Sequence, residues 1–213
     1  MKYCILVGGG HFCKQEFLKY QQNFESLQKD CAIVAVDGGY EYIKDIAEVA
    51  CVVGDFDSLG YVPQNIATIR HDPVKDHTDM ALAIDYMKGK GYEDFIIFGG
   101  LGGRLDHTFA NLQMAHGFCK DSKISITFVD GDCDAHFIRD VFVVKNAKEG
   151  DMFSLFAFDK CSGVSVTGAK YELYDHTLTN TFPLGVSNEF AGGECTIQVK
   201  EGVLLYIQIK KGK

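Results

Sequence analysis

A change in periodicity near residue 130 constrains this 213-residue chain most. Before it, short apolar runs alternate with segments of helical spacing, and after it only strand-like runs remain. Residues 2–7, 32–36, 51–53, 67–70, 94–98 and 124–129 read as strands. Between them, Phe17, Leu18, Phe24 and Leu27, then Met80, Leu82, Ala83, Ile84 and Met87, then Phe109, Leu112, Met114 and Ala115 recur at helical spacing. Strands apolar on both faces and separated by helices predict a parallel sheet with right-handed crossovers. Beyond the change, residues 135–138, 141–144, 153–158, 163–167, 195–200 and 203–209 are strand-like and punctuated by Gly, Asp and Asn, which predicts an antiparallel sandwich or barrel. The expected class is α/β: a Rossmann-like parallel-sheet domain over 1–130, then an antiparallel β-sandwich or barrel over 131–213.

In a parallel α/β sheet, ligands bind beyond the carboxyl ends of the strands. Four polar motifs fall there: Asp37-Gly38-Gly39, Asp55-Phe56-Asp57, Thr78-Asp79, and the run from Gly99 to Asp106. Asp55 and Asp57 are one residue apart after an apolar strand, and such close charges call for a cation or a proton. Hard cations such as Mg²⁺ take carboxylate oxygens and carry substrate phosphates. Asp79 is the natural third ligand if Asp76 or Thr78 caps the following helix. The glycine run, with Gly100, Gly102 and Gly103, lacks the Lys-Ser/Thr of a Walker loop, yet its backbone amides can approach a phosphate that Arg104 clamps. Asp106-His107 is either an acid–base pair or a helix start with an exposed histidine. Lys75 either meets phosphate or is a solvated loop lysine. In the second half, Ser187 and Asn188 offer hydrogen bonds to a heterocycle edge, and Tyr171 offers a stacking ring; a turn and a core aromatic are the plain alternatives.

The net charge of −8 argues against nucleic acid or an anionic membrane as partner. No apolar run is long enough to span a bilayer. The amino-terminal apolar run is too short for a signal peptide, and the eight cysteines form no C-x-x-C pair. Reduced thiols in the cytoplasm are therefore expected.

Taken in order, Asp37-Gly38-Gly39, Gly54-Asp55-Phe56-Asp57-Ser58, Lys75-Asp76-His77-Thr78-Asp79, Gly99 to His107, and Gly185-Val186-Ser187-Asn188 resemble the thiamine pyrophosphokinase family. The resemblance implies transfer of pyrophosphate from ATP to thiamine, with Mg²⁺, AMP as the second product, and a homodimer holding thiamine between subunits. It places Asp55, Asp57 and Asp79 on the metal–triphosphate side beside Thr78. Asp37, Arg104 and Asp106 fall toward the nucleotide or the reacting groups, with Lys75, Gly100, Gly102, Gly103 and His107 on the nucleotide side. Ser187 and Asn188 fall at thiamine. Tyr171 stands where animal members carry a tryptophan, and this chain has none. The alternatives are a pyrophosphokinase for another hydroxymethyl heterocycle, of pterin type, and a nucleotide- or thiamine-binding regulator without turnover.

Overall fold

The computed structural model describes residues 2–70, 78–121 and 123–210. Two compact units emerge. One runs from the amino terminus to Met114 and resumes at Lys123–Gly131; the other takes the chain from Ala115 and resumes at Asp132.

The first unit holds β1 (Tyr3–Val7), α1 (Lys14–Ser26), β2 (Cys31–Val36), α2 (Tyr40–Ile43), β3 (Cys51–Gly54), β4 (Thr68–Arg70), α3 (Asp79–Gly89), β5 (Asp94–Phe98), the start of α4 (Leu105–Asp121) and β6 (Ser125–Val129). Its strands lie in the order β6-β5-β1-β2-β3-β4, and the pairings among them are parallel. β1 and β5 are buried along four of their five residues, which is why they read as unbroken apolar runs. Ile5, Val7, Phe17, Val52 and Phe98 form part of one core. The chain builds outward from β1 to β4, then returns to β5 on the other side of β1. That reversal opens a crevice at the carboxyl ends of β1 and β5.

The second unit holds β7 (Cys133–Ile138), β8 (Val141–Ala147), β9 (Met152–Ala157), β10 (Cys161–Thr167), β11 (Leu173–Leu178), β12 (Gly185–Glu189), β13 (Gly193–Gln198) and β14 (Leu204–Ile209). Within it, β12-β9-β14-β7 are adjacent in one sheet and β11-β10-β13-β8 form another, with antiparallel pairings. Phe153, Leu155, Val164, Val166, Ile197 and Tyr206 fill its core. The α/β class with an antiparallel second half is as the periodicity predicts. Two strands, β11 and β12, lie in stretches that carry no alternating pattern.

Candidate functional site

The crevice is built from interlocked glycines. Gly8 N–H donates to the Phe98 carbonyl at 2.8 Å, Gly10 N–H to Gly99 at 2.9 Å, and His11 N–H to Leu101 at 3.1 Å. Gly99 sits at φ +62°, and a Cβ there would lie 2.2 Å from the Gly8 carbonyl oxygen, so only glycine fits. The amides of Gly8 and Gly10 thus serve loop-to-loop bonds. Gly100 packs tightly on Phe128, and its carbonyl accepts from Asn111 at 2.8 Å. Gly102 and Gly103 are exposed, at φ +72° and +68°.

On the neighbouring strands, three carboxylates converge. Asp37 follows β2, Asp55 follows β3, and Asp79 opens α3; one oxygen from each lies within 4.8 Å of the others, and all three residues are half-buried. Local backbone geometry produces this cluster. Asp37 is held at φ +46°, an unfavourable region for a non-glycine residue, and the Ser58 hydroxyl donates to its Oδ2. Phe56 is also left-handed, at φ +68°, with its ring buried in the core. The turn at Phe56 separates its two acidic neighbours: Asp55 stays half-buried at the cluster, whereas Asp57 is exposed. The Asp57 N–H donates to Asp55 Oδ1 at 3.1 Å. Thr78 caps α3 with its hydroxyl oxygen, accepting from Ala81 N–H at 3.3 Å.

A divalent cation fits this donor set. Asp37 Oδ1 is buried and has no hydrogen-bond partner, and among the described residues no lysine or arginine pairs with Asp37 or Asp55. Three carboxylate oxygens within 4.8 Å of one another, on residues one of which has a buried oxygen without a partner among the described residues, are what a hard cation satisfies. The sequence groups Asp57 with Asp55 and Asp79; the fold instead brings Asp37 to them.

Arg104 and Asp106 are occupied with each other. Arg104 Nη2 donates to Asp106 Oδ2 at 2.6 Å and Nε to Oδ1 at 3.2 Å, a forked pair with both side chains about two-thirds exposed or more (72% and 65%). The guanidinium holds the Asp106 carboxyl down at about 2. His107 is exposed on α4. Lys75 lies outside the described residues. One pair lies outside the sequence motifs: His11 Nδ1 lies 2.7 Å from Oδ1 of buried Asp130, the residue just after β6. Asp130 obeys the same carboxyl-end rule that flags the other aspartates, so position alone marks it.

In the second unit, Asn188 is buried, and its amide bonds through both oxygen and nitrogen. Oδ1 accepts from Tyr171 N–H (3.1 Å) and Glu189 N–H (2.9 Å), while Nδ2 donates to the Tyr171 carbonyl (2.8 Å). Asn188 therefore fixes the backbone that carries the exposed Tyr171 ring. Ser187 is exposed at φ +59°, with its N–H donating to Ser154 Oγ at 3.1 Å. Neither a simple turn nor a core aromatic describes this arrangement.

Residues 24–134 match the family model for the thiamin pyrophosphokinase catalytic domain, and residues 140–204 match the model for its vitamin B1 binding domain. The chain belongs to the thiamin pyrophosphokinase family. It is similar to thiamine pyrophosphokinase from Bacillus subtilis (strain 168), with 27% identity over 184 residues covering 82% of this chain and 86% of the relative. It is also similar to thiamin pyrophosphokinase 1 from Caenorhabditis elegans, with 25% identity over 198 residues covering 83% and 79%. A crystal structure of the Bacillus subtilis thiamine pyrophosphokinase superposes at a TM-score of 0.82, covering 99% of this chain and 100% of that one at 23% identity. The catalytic-domain match to the thiamin pyrophosphokinase family takes in Asp37, Asp55, Asp79, Arg104 and Asp106. The vitamin B1 match takes in Tyr171, Ser187 and Asn188. His11 precedes the first matched span. Among the described residues, no helix is long and apolar enough to cross a membrane.

Proposed function

We propose that the chain transfers the pyrophosphoryl group of ATP to the hydroxyl of thiamine, giving thiamine diphosphate and AMP. The observation that carries this is the meeting of Asp37, Asp55 and Asp79 at the carboxyl edge of a parallel sheet, with Asp37 Oδ1 buried and unpaired. Those three residues would hold Mg²⁺. Bound there, the ion supplies positive charge to the phosphate oxygens and fixes the transferring group in position.

The rest is work for the chain's own side chains. Asp57, exposed and tied to Asp55 through its N–H, can reach water or the incoming alcohol. Arg104 can exchange Asp106 for a phosphate oxygen pair, since its fork accepts either partner in the same geometry. Its exposure makes that exchange inexpensive. The Tyr171 ring, held by Asn188, can stack on a cationic heterocycle, and Ser187 beside it keeps a hydroxyl for a polar edge. Positioning and charge neutralisation dominate phosphoryl-type transfer, and these groups provide both.

The domain roles follow: metal and nucleotide in residues 1–130, thiamine and dimer contacts in 131–213. A homodimer is supported by the exposed Val141 and Val143 on β8, at an edge of its sheet. A cytoplasmic setting suits the buried free thiols Cys4, Cys51, Cys119, Cys161 and Cys195. Incubation with ATP, Mg²⁺ and thiamine or a hydroxymethylpterin tests the reading. AMP with thiamine diphosphate is the expected outcome; ADP, turnover of the pterin alone, or no turnover would sink it.

A further inference from the structure

His11 has a defined orientation and no assigned task. It follows the three glycines at the end of β1, and its Nδ1 meets Asp130 Oδ1 at 2.7 Å. The histidine side chain is 58% exposed while that of Asp130 is 9% exposed, so a buried group anchors an open one. The imidazole also lies against the loop after β5, where a Cβ on Gly102 would sit 2.8 Å from His11 Cβ. The ring is therefore held over the crevice where the strand order reverses. A carboxylate accepts hydrogen bonds and cannot donate, so Nδ1 carries the hydrogen and neutral imidazole offers Nε2 outward as an acceptor. Among the described residues, Nε2 has no partner.

What would meet an acceptor there follows from spacing. Asp37 follows β2 and Asp130 follows β6, strands three intervals apart in the order β6-β5-β1-β2, about 14 Å. With the phosphates of a nucleotide at the aspartate cluster, an extended nucleoside triphosphate crosses the glycine crevice and brings its sugar toward His11. In dinucleotide-binding sheets, an acidic residue beyond β2 takes the ribose hydroxyl; here Asp37, just after β2, is committed to the carboxylate cluster. We propose that His11, oriented by Asp130, accepts a hydrogen bond from a ribose hydroxyl and gives the site its preference for a ribonucleotide. The inference rests on ATP being the pyrophosphoryl donor. Asp130, whose Oδ1 also accepts from the Gly131 N–H at 2.5 Å, is a positioning residue that acts on the nucleotide through the His11 ring.

Calorimetric titration tests this with Mg²⁺ and ATP, 2′-deoxyATP or 3′-deoxyATP, on wild type, His11→Ala, Asp130→Asn and the double variant. Wild type should bind ATP about five- to tenfold more tightly than one of the two deoxy nucleotides, the scale of one hydrogen bond. His11→Ala should bind ATP and that analogue alike, and Asp130→Asn should weaken ATP binding in wild type but not in the His11→Ala background. His11 is largely exposed, so its variant alone decides the matter if Asp130→Asn does not fold. Undiminished discrimination in His11→Ala overturns the inference, and an Asp130→Asn effect that persists without His11 overturns the positioning role. If wild type converts thiamine while His11→Ala keeps its discrimination, only this inference falls. Failure of wild type to bind ATP overturns both.

Discussion

The aspartate cluster and the Arg104–Asp106 pair lie on the same sheet edge and handle charge in opposite ways. Asp37, Asp55 and Asp79 are half-buried, crowd like charges together, and leave one oxygen with no partner. Arg104 and Asp106 are exposed and neutralise each other through two hydrogen bonds. The first arrangement crowds like charges on strained backbone, a cost that a bound cation would relieve. The second is neutralised already and would have to open before Arg104 could take a phosphate. On the proposed reading, rigid metal ligands beside an exchangeable clamp would separate permanent electrostatics from those made during binding.

The largest test of this contrast is Asp55→Asn. It removes one ligand and some repulsion together, so turnover should fall about 10²- to 10³-fold. The Tm without Mg²⁺ should hold or rise. Mg²⁺ at a hundred times its Kd should stabilise wild type by about 2.7 kcal/mol and Asp55→Asn by much less. Asp57→Asn should cost only about fivefold, the ~1 kcal/mol scale of an exposed charge contact. Equal losses in the two variants would break the distinction drawn at Phe56. Paired steady-state kinetics and thermal unfolding with and without Mg²⁺ provide the check.

That distinction is also where sequence pattern gave out. Asp55 and Asp79 are legible because they follow strands or open a helix at the ligand-binding edge. Which neighbour joins them depends on the left-handed turns at Asp37 and Phe56, and no periodicity reports φ at a single residue. The first unit's strands are legible because burial on both faces makes them continuously apolar. β11 is not: four of its six residues are exposed, so it reads as a loop. β12 pairs with β9 through a register shift, which removes the alternation that would mark it. His11 and Asp130 are 119 residues apart, and only the parallel topology brings them together.

Arg104→Lys probes the other half of the contrast. Lysine keeps the charge and loses the fork, so kcat/KM should drop about ten- to a hundredfold with stability unchanged. A loss confined to stability would mean the pair serves only to start α4. Next in size is Asn188→Ala, which strips the acceptor from two backbone N–H groups and should cost about 1–3 kcal/mol of stability. Its kinetic signature should be a raised KM for thiamine with KM for ATP unmoved. The reverse pattern would detach Tyr171 from the vitamin.

The smallest effect is the pH response of the clamp. Asp106 titrates at about 2 in the fold because Arg104 donates to it, below the ordinary carboxylate value of 3.8. A depressed folded pKa gives stability that is present above the unfolded value and lost as pH falls through the folded one. The window is therefore pH 4 to 2, and the exposure of both side chains keeps the loss small. Between pH 5 and 9, wild type and Asp106→Asn should show parallel dependence of Tm on pH, and their curves should converge only in acid. Divergence near neutrality would mean that Asp106 shares a proton with another group in the site. The clamp would then be coupled to the aspartate cluster, and the two charge arrangements would act as one.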